Sequence, residues 1–406
     1  MSRFATAALA AVLFLPREGS GQPIVLTLDD ALARARERAP AILTARTQID
    51  DARGRLAGAS LWLPENPVID GAAGSRFSAN ENLFEADVAI GQALGTWGRR
   101  QARIAVAEAG VEAAEATTAE TARLVVHDVA TAFLEALAAE QRYQLAVDME
   151  SVARDLQRVT ARRHAAGDLP ILDVNLARGA AARSIADTQV ADADRLVRLD
   201  ALRVLLGLDP EQPLAVRGAL FTPRRFDLPT LVVEALKRPD LQSAAANLRQ
   251  AEAEVRLADT FERPDFGVAA SYARDDGDDV VLGGVRVSLP LVARGQELRA
   301  TGLARAQRAR IEVEAMERAL RSAVRSAFEA YERQCDAVRA FEGETQAGLE
   351  ENESLARRSY EAGHISLPEL LLIRRETQEA RRAYLDHLRS AAMAALELQR
   401  RAGVLR

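Results

Sequence analysis

The 406-residue chain holds a single cysteine, Cys335, and only 4% of its residues are aromatic. One thiol excludes an intrachain disulfide. Cys335 falls in the helical run Val324, Phe328, Tyr331, Cys335, Val338, so its expected role is packing. The N-terminal segment offers no cysteine for a lipoprotein anchor, and none is expected. Few aromatics exclude a thick aromatic core. Ala, Glu, Arg, Leu and Gln dominate from Gly98 onward, a mixture suited to long helices that pack through Ala and Leu. No stretch approaches 18 uninterrupted apolar residues, which excludes a helical membrane span. The run Phe4 to Leu15, after Arg3 and before Pro16, reads as a secretory signal, with residues 1–21 as the leader. The four histidines, His127, His164, His364 and His387, are scattered, and no His-x-x-x-His or Cys-x-x-Cys pair occurs. With no phosphate-binding loop and no nucleophile elbow, neither a cofactor nor enzyme activity is expected. A net charge of −6 with mixed signs gives no nucleic-acid footprint. Charges recur instead along helix faces, as in Glu314–Arg318 and Glu317–Arg321.

What the chain does have is an internal duplication. Val129-x-x-Ala132-Phe133 returns as Val324-x-x-Ala327-Phe328, and Gly167-Asp168-Leu169-Pro170 answers to Gly363-His364-Ile365-Ser366. Leu94…Gly98-Arg99 answers to Leu291…Gly295-Gln296, so the spacing stays within 195 to 197 residues. The first repeat is 22–208, the second 228–406, and the Pro-, Arg- and Gly-rich segment 209–227 links them at mid-length. Each repeat reads as helix, strand pair, long helix, helix. Thr27 as N-cap with Asp30 at N3 opens a helix expected to run to about Leu61, with a break risk at Pro40. Its counterpart runs from about Leu228, past Pro239, to Phe261. The stops are Pro64-Glu65-Asn66-Pro67 and Pro264.

Strand signals follow each stop. Phe84, Ala86, Val88 and Ile90 alternate with Glu85 and Asp87, and Val281, Gly283, Val285 and Val287 share one face of a later strand. Polar loops, Ser78 to Asn82 and Asp275 to Asp279, join the strands of each pair. Such strands fit either a transmembrane barrel wall or an amphipathic hairpin on a soluble core. Four strands cannot close a barrel, so membrane insertion would require several chains. From Gly98 to Gly167, and again from Gly295 to Gly363, roughly 68 residues of helix would span ~100 Å. The shorter helices on either side, together of similar length, can stack end to end along each long one.

These residues resemble the TolC-like outer-membrane efflux family. Leu28-Asp29-Asp30-Ala31-Leu32, the passage Gln92-Ala93-Leu94…Gly98-Arg99-Arg100, and Tyr360-Glu361-Ala362-Gly363 before Ser366-x-x-Glu369-Leu370-Leu371 carry the resemblance over about Leu26 to Gly403. Within the family the chain is most similar to the outer-membrane components of heavy-metal resistance-nodulation-division pumps. The resemblance implies a mostly α fold with a small β part. Long coiled-coil hairpins would carry four strands, and a homotrimer would assemble them into a 12-stranded transmembrane barrel in the outer membrane, above a periplasmic tunnel. It also implies partners: outer-membrane lipid, a periplasmic adaptor (membrane fusion protein) and an inner-membrane resistance-nodulation-division pump. The implied function is an export duct for small solutes, heavy-metal cations first, in the outer membrane of a Gram-negative bacterium. The alternatives are a drug-efflux or type I secretion duct and, in another class, a soluble periplasmic coiled-coil scaffold.

The implied adaptor-docking tips are Gly167, Asp168, Leu169 and Pro170, and Gly363, His364, Ile365, Ser366 and Leu367. Leu169, Ile171, Ile365 and Leu367 are expected to be exposed there. Asp173 and Glu369 occupy equivalent positions, and with Leu372 they form the candidate tunnel constriction. Two readings stand for Glu369: a capping box with Ser366, or one member of a threefold carboxylate ring that attracts cations. The family often has an acid three residues beyond Glu369; here Leu372 stands there, and Leu176 in the first repeat.

Overall fold

The computed structural model describes residues 24–63, 65–77, 82–95, 98–275, 278–342 and 344–405. The expected leader, Pro64, residues 78–81 of the first hairpin loop, Thr96-Trp97, and residues 276–277 of the second lie outside them.

Residues with high helix propensity and few interruptions form one helix of 67 residues, α3 (Arg99–Ala165), about 100 Å long. Against its N-terminal half lie α2 (Pro40–Ala59) and α6 (Pro239–Asp259), and against its C-terminal half α4 (Ile171–Leu205). The second repeat supplies α7 (Gln296–Phe341), α8 (Glu344–Glu361) and α9 (Leu367–Ala402).

Three sequence expectations are corrected here. The helix expected from Leu28 to Leu61 is two, α1 (Leu28–Arg38) and α2, because Ala39 is held extended before Pro40. Its counterpart splits likewise into α5 (Leu228–Ala235) and α6, with Arg238 extended before Pro239. The second long helix does not reach Gly363 unbroken; it stops at Phe341, Glu342 is extended, and α8 follows. The first repeat has no such break, since α3 continues through the equivalent region.

The strands β2 (Val68–Phe77), β3 (Asn82–Ala93), β5 (Asp265–Asp275) and β6 (Asp278–Ser288) form one antiparallel sheet in the order β2-β3-β5-β6. Its register collects apolar side chains on one face. Ile69 pairs with Ile90, Val88 with Tyr272, Val268 with Val285 and Phe266 with Val287. The opposite face carries Asp70, Glu85, Asp87, Ser271 and Arg286. Val281 and Val285 are more than 70% exposed, and β2 and β6 are open edges. A sheet with an uncovered apolar face and two free edges is not a finished structure in water or in lipid.

Sheet and rod meet at a collar. Gly98 and Gly295 begin α3 and α7 with φ +85° and +74°. A side chain at Gly295 would lie 3.0 Å from the Ala258 carbonyl. Arg99 pairs with Asp265 at 2.5 Å and covers the Phe261 ring at 4.3 Å; Arg100 donates to the Ser60 carbonyl at 2.8 Å.

The main core lies at the waist. β1 (Ile24–Leu26) and β4 (Leu214–Val216) pair in parallel there, a small sheet that the sequence analysis does not anticipate. Around it pack Leu32, Val129, Phe133, Leu137, Leu202 and Leu396. A second cluster gathers Leu231, Val324, Tyr331, Cys335 and Leu398, with Cys335 buried as a packing residue. The Tyr331 hydroxyl donates to the Arg224 carbonyl at 2.6 Å and accepts the Arg224 N–H at 2.9 Å. Phe221 and Phe226 meet the Tyr331 ring edge-on. The 209–227 segment is therefore pinned into the waist rather than hung on it.

Candidate functional site at the hairpin tips

At the end of the rod away from the sheet, α3 turns into α4 and α8 into α9. Both turns use one device. Gly167 and Gly363 take φ +87° and +77°, and their N–H groups donate to the His164 and Tyr360 carbonyls at 2.9 and 3.1 Å. The next N–H groups, of Asp168 and His364, reach back to Arg163 and Ser359, both at 2.8 Å. Only glycine takes this left-handed turn without strain. In the first tip the His164 ring Nδ1 also donates to the Leu169 carbonyl at 2.7 Å.

The restarts differ. Ser366 caps α9: the Glu369 carboxylate accepts from the Ser366 N–H at 2.7 Å and from its hydroxyl at 2.8 Å. Those two hydrogen bonds, the backbone one first, hold the Glu369 carboxyl below the usual carboxylate range. Pro170 caps α4 without a side-chain bond, so Asp173, at the same N3 position, keeps its carboxylate out of a capping box.

The two tips lean on each other. Leu156 and Ala177 of the first hairpin pack with Ala356, Tyr360, Leu367 and Leu370 of the second. Leu367 is fully buried there, so its expected exposure is corrected: it cements the tips together and presents no docking surface. Leu169 and Ile365 are half-buried, while Ile171, Leu172 and Leu372 are exposed by more than half. Gly167, Asp168, Pro170, Gly363, His364 and Ser366 all lie on the exposed rim.

A feature missed at the sequence level sits just inside the tips. Tyr360 is buried, and the Arg163 guanidinium lies 5.9 Å from its ring. Burial pushes the Tyr360 hydroxyl up, with the Asp173 charge adding to the rise and Arg163 opposing it. Asp173 is thus part of a small polar cluster between hairpins, whereas Glu369 is engaged with Ser366. The only sequence signal was an aromatic three residues before a turn glycine. Further up, the hairpins are clamped by Arg381–Glu353 at 2.9 Å, Arg382–Asp187 at 3.0 Å and the Arg142–Asp386 pair.

The family described as Outer membrane efflux protein matches residues 31–208 and again 231–404. The cobalt-zinc-cadmium resistance protein CzcC of Cupriavidus metallidurans is 26% identical over 388 residues, covering 95% of this chain and 91% of CzcC. The pyoverdine export outer membrane protein OpmQ of Pseudomonas aeruginosa is 25% identical over 61% of this chain and 52% of its own length. Among solved structures, the CmeC outer membrane channel of Campylobacter jejuni superposes with a TM-score of 0.76 at 16% identity, over 93% of this chain and 85% of CmeC.

Proposed function

The chain belongs to the outer membrane efflux protein family, and from that premise we propose that it is the exit duct of a tripartite pump, exporting heavy-metal cations. The reading rests above all on the sheet: an apolar face with open edges on both sides calls for further strands of the same kind. Three copies of four strands make a 12-stranded barrel, whose apolar face meets lipid and whose Asp70, Glu85 and Asp87 face the lumen. The helices of the three copies then enclose the tunnel. Surface area supports the same reading: 25,806 Å² is accessible, against roughly 15,000 Å² for a compact monomer of this mass.

At the far end, the rim of Gly167, Asp168, Leu169, Pro170, Gly363, His364, Ile365 and Ser366 would receive a periplasmic adaptor, itself bound to an inner-membrane pump. Ile171 and Leu172 add apolar contact beside it. Asp173, whose carboxylate is in no capping box, would face the constriction, with the exposed Leu372 narrowing it and Glu369 chiefly capping α9. The heavy-metal cargo is supported by the full-length similarity to a cobalt-zinc-cadmium resistance protein. The partial similarity to a pyoverdine exporter makes an organic cargo the second reading.

Deleting the gene and measuring growth on zinc, cobalt, cadmium and hydrophobic drugs separates the two. Sensitisation to metals alone is expected. Sensitisation to drugs alone would overturn the cargo assignment while leaving the duct in place.

A further inference from the structure

We propose that the gap between α3, the end of α7 and α9 is a binding site for a compact organic cation with an aromatic or aliphatic body. The site exists because the repeats differ. Where α3 runs on through Leu145, α7 ends at Phe341, and the departing chain leaves a cavity of about 380 Å³. That is within the roughly 300–1,000 Å³ of small-molecule pockets. Leu145, Leu349 and Leu385 supply apolar wall. Phe341 and Tyr384 supply ring faces, their centroids 6.1 Å apart and their planes tilted by 32°.

The lining carries two carboxylates and one guanidinium. Asp148 lines the cavity, is exposed, and makes no hydrogen bond or ion pair among those of the described residues. Glu140 lines it too, accepting from Gln144 at 3.0 Å and from Arg195 at 3.5 Å. The one lining cation, Arg381, is turned to Glu353 at 2.9 Å. The C-terminal end of α7 adds its negative dipole. Burial and the nearby Glu342 charge together push the Tyr384 hydroxyl up. Aromatic faces beside the Asp148 carboxylate attract a cation and repel an anion. The cavity lies between helices and away from the tips, so its ligand need not be the cargo.

Tetraphenylphosphonium, followed by equilibrium dialysis against the purified full-length protein in amphipol, tests it. Saturable binding of one cation per chain is expected, with tetraphenylborate failing to compete. Asp148→Asn, an exposed change that leaves packing intact, should weaken binding about 5-fold, and Phe341→Ala about 10-fold. Unsaturable uptake, displacement by tetraphenylborate, or unchanged affinity in Asp148→Asn would overturn the proposal.

Discussion

At the scale of single residues, two carboxylates show how context sets a role. Burial alone would raise the Glu397 carboxyl, but hydrogen bonds from Arg400 and Arg401, each 2.6 Å, override it and hold it at about 2. A carboxyl depressed in the fold contributes stability above its ordinary value of 4.5 and loses it as pH falls from there toward 2. Because this side chain is 36% exposed, solvent screening limits the contribution to about 1 kcal/mol. Glu397→Gln should therefore lower the melting temperature at pH 7 and converge with the parent protein near pH 2, followed by circular dichroism. Glu369 has the same sign and a local readout. Its capping of α9 is present above 4.5 and lost on acidification, so amide protection factors at 366–370 should fall at low pH, and Ser366→Ala should show that loss of protection already at pH 7. Equal protection in Ser366→Ala and parent at pH 7 would show that the capping box does not hold the tip.

Elements are where departures from symmetry become visible. Tyr331 joins α7 to the inter-repeat segment through two hydrogen bonds to Arg224. Tyr331→Phe should cost about 1–2 kcal/mol and open the segment to trypsin at Arg224 and Arg225; unchanged proteolysis would contradict the pinning. At the tips, Gly363→Pro removes the N–H given to Tyr360 and forbids the positive φ. That variant should lose adaptor capture while the oligomer still assembles, checked by pull-down beside native mass. Much of this layer was legible in the sequence: turn glycines, the Thr27 and Ser366 caps and the strand alternation each leave a local signature. The α7–α8 break was not, because Glu342-Gly343 in a helical run is a weak stop whose outcome is set by packing. The β1–β4 pair was also hidden. Three-residue strands carry too little periodicity, and their partner lies nearly 190 residues away. Burial of Leu367 followed the same pattern: the sequence shows a tip leucine but not which hairpin it leans on.

At the scale of the whole molecule, one chain is a rod with an unfinished end. The membrane face, the open strand edges and the accessible area all point to copies of itself as the missing surface. The tips gather both repeats of one chain around Leu156, Leu367 and Leu370, so each chain would bring a preformed double tip to the tunnel mouth. Three such units would place three Asp173 carboxylates around one axis, which we propose as a cation-attracting ring. Single-channel conductance of the detergent-purified protein in a planar bilayer, paired with its native mass, tests the duct most directly. A trimer with cation-preferring pores is expected, and a preference that falls in Asp173→Asn. A soluble, non-conducting monomer or dimer would contradict it and return the chain to a periplasmic scaffold.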